Sequence, residues 1–187
     1  MTIASQVITA APGTSHRRLS LPLRRRPEPG DIARAAALYQ AVAPCVLGYL
    51  RAQRAPDPEN LLGEVFLQVV RDLPRFRGDD EALRPWVFSI ARHRLVDGQR
   101  RQARRRAMAD APVPDVASPP PPEPFDPELV AALARLTSDQ REVVVLRFVA
   151  DLSSNAVAEL TGRSVGAVKA LQHRALDALA GLLPPRG

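Results

Sequence analysis

The feature that most constrains the fold of this chain is the proline-rich stretch ADAPVPDVASPPPPEP at residues 109–124, which has 7 prolines in 16 residues. Proline fixes φ and has no backbone N–H, so this stretch can form neither a helix nor a central strand. It is expected to be an extended, semi-stiff linker. The linker divides the chain into two predicted modules, residues 31–108 and 125–183, which follow a basic N-terminal tail at residues 1–30.

Both modules are predicted to be all-α. Aromatic residues make up only 4% of the chain, so the cores must be aliphatic and alanine-rich, which favours helices. The stretch DIARAAALYQAVAPCVLGYLRAQ is one helical pattern with Asp31 as its N-cap, and Pro44 can kink or divide it. In DPENLLGEVFLQVVRDLPRF, apolar residues at spacings of three and four predict a second helix, which Pro74 ends. We therefore expect two small helical domains.

The third predicted helix, RPWVFSIARHRLVDGQRRQARRR at residues 84–106, is apolar at its start and basic at its end. A polar loop with Gly78 precedes it, and Pro85 is expected in its first turn. Trp86 is interpreted as a core anchor, with stacking on an unpaired base as the alternative. The segment has eight arginines and one acid, Asp97. Its end is therefore predicted to bind phosphates, and a frayed, solvated tail is the other interpretation.

The charge of the whole chain also favours a polyanionic partner. Its formal net charge is +6, and nucleic acid is the commonest polyanion, although GC-rich codon usage equally explains why Lys169 is the only lysine. The single cysteine, Cys45, excludes an internal disulfide and is expected to be a small buried hydrophobe. No apolar run is long enough to predict a membrane-spanning helix. The arginine-rich tail is expected to be disordered, or else an organellar transit peptide, rather than a secretory signal.

The C-terminal module contains a helix-turn-helix pattern. Two helices are predicted before it, PELVAALARL and TSDQREVVVLRFVADL, the second with a capping box formed by Thr137 and Gln140. In LSSNAVAELTGRSVGAVKALQHRALDAL, Ser153 is expected to begin one helix and Ser164 to cap the next. Gly162 stands between them, where the turn requires a positive φ.

The second helix of this motif is predicted to present a surface that can enter a DNA major groove. Val157 and Ala158 of the first helix, with Val168 and Leu171 of the second, are expected to face the core. Small outward residues would allow a close approach to DNA, and basic ones would contact bases or phosphates. An ordinary helical hairpin with a solvated basic face is the alternative. The outward residues are Gly166, Lys169, Ala170, His173 and Arg174.

Taken in order, DPENLLGEVFLQVVRDLPRFRG, LRPWVFSIARHRLVDGQRRQARR and LTSDQREVVVLRFVADLSSNAVAELTGRSVGAVKALQHRALDAL resemble bacterial sigma factors of the extracytoplasmic-function group in the sigma-70 family. The resemblance covers residues 31–108 and 125–183. It implies a sigma-2 domain that binds core RNA polymerase and recognises and melts the −10 promoter element. It implies a sigma-4 domain whose helix-turn-helix reads the −35 element. The chain departs from the family pattern at Asn60, Gly63, His93 and Asn155.

The resemblance also assigns residues of this chain to three contact surfaces. The −35 surface, in the helix-turn-helix at residues 153–174, comprises Ser164, Gly166, Lys169, Ala170, His173 and Arg174. The −10 surface, in the loop at residues 76–83 and the helix after it, comprises Arg77, Asp79, Arg84, Arg92, His93, Asp97, Arg100, Arg101 and Arg104. The surface for core polymerase, on the helix around residues 60–71, comprises Glu59, Asn60, Leu61, Glu64, Val65 and Gln68.

A protein of this family is implied to be cytoplasmic, to need no cofactor or metal, and to catalyse no reaction itself. Its implied partners are core RNA polymerase and promoter DNA, with an anti-sigma factor in many relatives. A helix-turn-helix regulator that acts independently of core polymerase is the alternative, but it would need a sensor site in residues 31–108. A metal-dependent nuclease would have to use Asp79, Asp80 and Glu81, and adjacent carboxylates on a loop point in different directions.

Overall fold

The structure, a computed structural model, describes residues 28–108 and 126–183. In these two ranges the chain forms seven α-helices and one short 3-10 turn, without a strand. The prediction of an all-α fold is therefore confirmed. The predicted linker and nearly all of the predicted N-terminal tail lie outside the described residues.

Three helices form the N-terminal module. Helix α1 spans Pro29–Ala52, α2 spans Pro58–Asp72, and a 3-10 turn at Leu73–Arg75 leads to α3 at Asp80–Met108. Helix α1 continues through Pro44 without a break. The core that joins the three helices is mostly aliphatic, as expected, but it also contains two fully buried aromatic rings, which were not predicted. Its fully buried side chains include Val46, Tyr49, Leu50, Val65, Val69, Val87 and Phe88.

The predicted N-cap of α1 was wrong. The helix begins at Pro29, and Asp31 lies inside its first turn. Proline is favoured at the first helical position because its missing N–H needs no partner there. The carboxylate of Asp31 nevertheless satisfies one free backbone group, since its Oδ2 accepts a hydrogen bond from the Glu28 backbone N–H at 3.1 Å.

The predicted start of α3 was also wrong. The helix begins at Asp80, so the loop before it is shorter than residues 76–83 and Pro85 lies inside the helix. The Oδ1 atom of Asp79 accepts a hydrogen bond from the Ala82 backbone N–H at 2.9 Å. This cap stabilises an earlier start than proline alone would indicate. The prediction of one continuous helix over residues 84–106 is confirmed.

Four helices form the C-terminal module: α4 at Pro127–Arg135, α5 at Ser138–Phe148, α6 at Ser154–Thr161 and α7 at Val165–Leu182. The predicted capping box opens α5. Thr137 Oγ1 accepts from the Gln140 backbone N–H at 3.3 Å, and Gln140 Oε1 accepts from the Thr137 backbone N–H at 3.1 Å. The core of the module includes Val143, Leu146, Val157, Val168 and Ala175, all essentially inaccessible to solvent.

The two modules pack against each other. Helix α1 contacts α4 and α5, and α3 contacts α6. The buried residues of both modules form one continuous cluster. Nothing in the sequence predicted this contact, and it determines which of the candidate DNA-binding residues are free in this structure.

Candidate nucleic-acid interface

The helix-turn-helix forms as the sequence predicts. Ser153 caps α6, its Oγ accepting from the Ala156 backbone N–H at 3.1 Å, and Ser164 caps α7 in the same way through Ala167 at 3.2 Å. Gly162 lies between the helices with φ of 68°. Only glycine adopts this left-handed conformation without strain, so the turn residue has the predicted role.

Packing fixes the orientation of α7. Val157, Ala158 and Val168 are buried as expected, and Leu171 is half-buried against the core. Arg147 of α5 adds a polar connection, because its Nε donates to Gln172 Oε1 at 3.1 Å. Helix α7 is thus attached to α5 by both apolar and polar contacts, which leaves its opposite side outward.

The outward side of α7 is the predicted −35 surface. All six of its predicted residues are exposed. Gly166 has no side chain and Ala170 has a small one, so this part of the surface can approach the floor of a groove closely. His173 Nδ1 lies 2.8 Å from Asp177 Oδ2, one turn along the helix. Sequence reasoning did not single out Asp177, although its spacing of four from His173 was a usable signal.

A second exposed surface runs along α3. His93, Asp97, Arg100 and Arg104 recur at spacings of four, three and four, so they lie on one side of the helix. All four are exposed. We call these four residues the α3 strip. Arg101 is exposed beside the strip, and from Gly98 to Met108 the helix has no acidic residue.

The loop before α3 is folded onto aromatic rings. The Phe76 and Trp86 rings pack with centroids 4.9 Å apart, and Trp86 is half-buried against the core, which supports its interpretation as a core anchor. A Cβ on Gly78 would come within 2.7 Å of the Phe76 ring, so any other residue at this position would force the ring to shift. Arg77 is exposed, whereas the carboxylate of Asp79 is occupied as the cap of α3.

Two predicted −10 residues face the C-terminal module instead of solvent. Arg84 Nε donates to the Ala150 carbonyl at 2.6 Å. Arg92 Nε donates to Glu142 Oε1 at 2.9 Å. The pairs are 66 and 50 residues apart in sequence, so no local pattern could have revealed them.

The predicted polymerase surface on α2 divides into exposed and buried positions. Leu61 and Val65 belong to the core, where they cannot contact another protein in this conformation. Asn60 is exposed, whereas Glu64 and Gln68 are half-exposed. Leu67, which sequence reasoning missed, is 59% exposed. Its position outside the apolar stripe of α2 was the available signal.

Polar contacts hold the carboxylate and amide groups of this surface. Arg94 of α3 donates to Gln68 Oε1 at 2.7 Å and lies 3.7 Å from Glu64 Oε2. Arg51 donates to Glu59 Oε1 at 2.6 Å. This hydrogen bond lowers the pKa of the Glu59 carboxyl from its ordinary value. Arginines of α1 and α3 thus position the carboxylates and the amide of this surface.

The acidic residues at the start of α3 do not converge on a metal site. Asp79 caps the helix, and Asp80 Oδ1 accepts from Arg34 at 2.9 Å. Within residues 28–108 and 126–183, no group of three potential ligands could hold a metal ion. Nor does any helix in the same ranges have the length and apolar character needed to cross a membrane.

Cys45 differs from its prediction as a buried hydrophobe. It is half-buried, and Arg84 Nη2 lies 3.3 Å from its Sγ. The thiol therefore lies beside Arg84, which crosses the boundary of the two modules to reach the Ala150 carbonyl.

Comparisons with known proteins agree with this architecture. Residues 38–105 match the family model of sigma-70 region 2, and residues 127–179 match that of sigma-70 region 4. The ECF RNA polymerase sigma factor ShbA of Streptomyces griseus is 33% identical over 172 residues, which cover 82% of this chain and 89% of that protein. The sigma factor SigD of Mycobacterium tuberculosis is 29% identical over 167 residues, with 80% and 77% covered.

Solved structures show the same fold. The sigma factor RpoE of Bartonella quintana, in complex with the anti-sigma factor NepR, matches with a TM-score of 0.66 at 23% identity, over 79% of this chain and 94% of that one. CnrH, in complex with the cytosolic domain of CnrY, matches with a TM-score of 0.58 at 23% identity, over 82% and 89%. With both sigma-70 regions present in order and a relative matched over most of its length, the chain belongs to the extracytoplasmic-function sigma factors, which direct RNA polymerase to promoters.

Proposed function

We propose that this sigma factor binds core RNA polymerase through α2, contacts the −10 promoter element through α3 and reads the −35 element through α7. The observation that carries this assignment is the presence of two separate exposed surfaces, the α3 strip and the outward side of α7, each fixed in its own helical module. A protein that reads one compact DNA site would need only the outward side of α7. The proposed domains are sigma-2 over residues 31–108 and sigma-4 over residues 125–183, joined by the linker.

The −35 assignment is supported by the shape and charge of α7. Lys169, His173 and Arg174 are exposed along the helix, and Gly166 and Ala170 let its first turns approach the base edges. An arginine can donate two parallel hydrogen bonds to guanine, which specifies a base. We assign the base contact to Arg174. We assign phosphate contacts to Lys169 and to Ser164, which lies at the N-terminus of the helix.

The −10 assignment is supported by the concentration of arginine along the end of α3. Separated DNA strands expose both phosphates and unpaired bases, and a groove of positive charge stabilises them. Arg100 and Arg104 lie on the α3 strip and carry its charge. Arg77 lies in the loop beside the Phe76 and Trp86 rings, where an extruded base would need polar contacts.

The polymerase assignment rests on the exposed part of α2. Asn60, Glu64 and Leu67 recur at spacings of four and three, so they share one side of the helix. Leu67 offers an apolar contact of the kind that anchors protein interfaces, and Glu64 adds a charge held in place by Arg94. Leu61 and Val65 support this side from the core.

Two further features of the proposed function come from its family. Sigma factors are not a class of enzymes, and we propose that this chain contributes no catalytic group to transcription. We also propose that it acts in the cytoplasm and is regulated by an anti-sigma factor, since RpoE, which shares its fold, was solved in complex with the anti-sigma factor NepR.

Run-off transcription with core RNA polymerase on fragmented genomic DNA tests the proposal. We expect the chain to produce transcripts with defined start sites, which sequencing would align to reveal common −10 and −35 elements. Core polymerase with no added sigma factor is the control. Start sites that do not change when the chain is added would contradict the proposed function.

Arg174→Ala tests the −35 assignment in the same assay. We expect output from promoters that depend on their −35 element to fall roughly tenfold or more, because a specific base contact contributes about 1–3 kcal/mol. Arg135→Ala, which removes an exposed arginine of α4, is the matched control. Equal output from both variants would remove Arg174 from the reading surface.

A regulator that acts independently of polymerase would behave differently in a gel shift. The free chain is expected to bind promoter duplex weakly and to gain specificity with core polymerase. Tight, sequence-specific binding of the duplex by the free chain would favour the alternative.

A further inference from the structure

Asp177 is an acid beside the −35 surface, and the assignment of contacts above gives it no role. Its Oδ2 atom lies 2.8 Å from His173 Nδ1, and the Asp177 and His173 side chains are 66% and 79% exposed. This separation of a ring nitrogen and a carboxylate oxygen is that of a charge-assisted hydrogen bond. A carboxylate repels DNA phosphates whatever the base sequence, so Asp177 cannot serve as a general DNA contact.

The carboxylate determines which nitrogen of the His173 ring carries a proton. An ionised carboxylate only accepts hydrogen bonds, and a neutral imidazole has one donor nitrogen and one acceptor nitrogen. The contact with Asp177 therefore places the proton on Nδ1 and leaves Nε2 as the acceptor. The two ring nitrogens point in different directions, so the Nε2 of this exposed ring faces away from Asp177.

An acceptor at this place complements a surface whose other polar side chains are donors. Lys169 and Arg174 have N–H groups and no acceptor atom. Ser164 Oγ already accepts a backbone hydrogen bond as the cap of α7, and the two small residues of the −35 surface have no polar side-chain atom. Among the six residues of this surface, His173 Nε2 is thus the acceptor that remains available to a base.

The chemistry of the major groove determines what such an acceptor can recognise. Adenine and cytosine present donors there, the N6 and N4 amino groups, whereas guanine and thymine present acceptors at the corresponding positions. A bare Nε2 can accept from an amino group and cannot bond to a carbonyl oxygen. The opposite tautomer, with its proton on Nε2, would have the reverse preference. The position of one proton therefore decides between two pairs of bases.

We propose that Asp177 is a positioning residue that fixes the tautomer of His173, so that the −35 surface prefers adenine or cytosine at one position of the strand it contacts. The proposal rests on the −35 role of α7 proposed above. It assigns the effect of Asp177 to His173. Direct reading of cytosine by the Asp177 carboxylate, a contact that acids can also make, would need no histidine.

Selection from a promoter library tests the proposal. Core RNA polymerase with the full chain binds duplex promoter DNA whose −35 element is randomised, and the bound DNA is sequenced. The selection is made at pH 8, above the range in which histidine ordinarily titrates. We expect Asp177→Ala to lower the preference for adenine or cytosine at one position roughly twofold to fivefold, the size of effect that an exposed ion pair has. The base read by Arg174 should not change, because in the described part of the chain Arg174 forms no ion pair.

Three further variants separate the possible causes of a change. His173→Ala should lose the same preference, and Asp177→Ala should then add nothing, as a double-mutant cycle requires of residues that act together. Asp177→Glu keeps a carboxylate one turn from His173 and should retain the preference. Glu159→Ala is the matched control, because it removes an acid from an exposed position of α6. It should change affinity for all sequences alike and leave the base preference as it is.

The tautomer itself can be observed by nitrogen-15 NMR of the full chain at pH 8, which distinguishes a protonated ring nitrogen from a bare one. Comparison with His173→Ala identifies the signals of His173. We expect the proton on Nδ1 in the wild type and a larger share of rings with the proton on Nε2 in Asp177→Ala. Asp177 is exposed, so its replacement removes no core contact, and a purely structural role would leave the tautomer unchanged.

Each outcome decides the proposal. An unchanged base preference in Asp177→Ala overturns it, and so does a wild-type His173 ring protonated on Nε2. An effect of Asp177→Ala that persists in the His173→Ala background overturns it in favour of direct reading by the carboxylate. If the wild type produces transcripts with defined start sites but selects no −35 sequence, the −35 role and this inference fail together. Run-off transcription without defined start sites would instead contradict the proposed function as a whole.

Discussion

Single residues with one conformational task determine the geometry of the helix-turn-helix. Ser153, Ser164 and Thr137 each satisfy backbone N–H groups within three positions of themselves. Such contacts are local, so the sequence predicts them correctly. Asp31 and Asp79 also accept hydrogen bonds at the starts of helices. The predicted starts of α1 and α3 were nevertheless wrong, because α1 already begins at Pro29 and Pro85 lies inside α3.

Gly162 gives a prediction at this scale. Its φ of 68° lies in the left-handed region, and a Cβ there would meet no atom within 4 Å. Gly162→Ala should therefore lower the free energy of unfolding by about 1 kcal/mol through backbone strain alone. Urea unfolding followed by circular dichroism measures the change.

The control for this substitution is Gly98→Ala. Gly98 lies within α3, also has open space around its Cβ position, and has no positive φ. Alanine there should raise the free energy of unfolding by about 0.5–1 kcal/mol. Changes of the same sign in both variants would contradict the assignment of Gly162 as a left-handed turn residue.

At the scale of the element, the two sides of α3 have different surroundings. Arg84 and Arg92 face the C-terminal module, whereas the α3 strip faces solvent. Helical spacing alone predicts that the strip residues lie together. The contacts of the other side could not be predicted, because they depend on how a second module packs after a linker of 16 residues.

The α3 strip gives the second prediction. Arg100→Ala with Arg104→Ala should weaken binding of single-stranded DNA and lower the slope of log affinity against log salt by about 1.4, since each phosphate contact contributes about 0.7. The control is Arg105→Ala with Arg106→Ala, which removes the same charge from positions off the strip. Titrations at several salt concentrations measure the slopes, and equal changes in both double variants would show that charge density, rather than the strip, determines binding.

The polymerase surface on α2 shows a similar limit of prediction. Family resemblance places this helix at the interface, but it does not separate the core residues Leu61 and Val65 from the exposed Leu67. The fold makes that distinction, because the apolar stripe of α2 packs on α1 and α3. The apolar residue outside the stripe is then the candidate for contact with a partner.

At the scale of the whole molecule, the packing of the two modules against each other determines which of the candidate DNA-binding residues are free. The outward side of α7 and the α3 strip are exposed while the modules are packed together. Arg84 and Arg92 are not free, and Tyr49 is completely buried. The Tyr49 hydroxyl donates to Glu142 of the C-terminal module, so this residue reports how the two modules pack.

The ionisation of Tyr49 gives the last prediction. Burial first, and then the Glu142 carboxylate, raise the pKa of the Tyr49 hydroxyl above its ordinary value of about 10. A raised pKa in the folded chain means that neutral Tyr49 stabilises the fold fully below about pH 10, and that this contribution is lost as pH rises further. Tyr39→Phe leaves Tyr49 as the only tyrosine. In that chain, tyrosinate absorbance should appear at higher pH than in urea, and adding Glu142→Gln should move it lower. Appearance of tyrosinate near pH 10 in the folded Tyr39→Phe chain would contradict the burial of Tyr49 and its contact with Glu142.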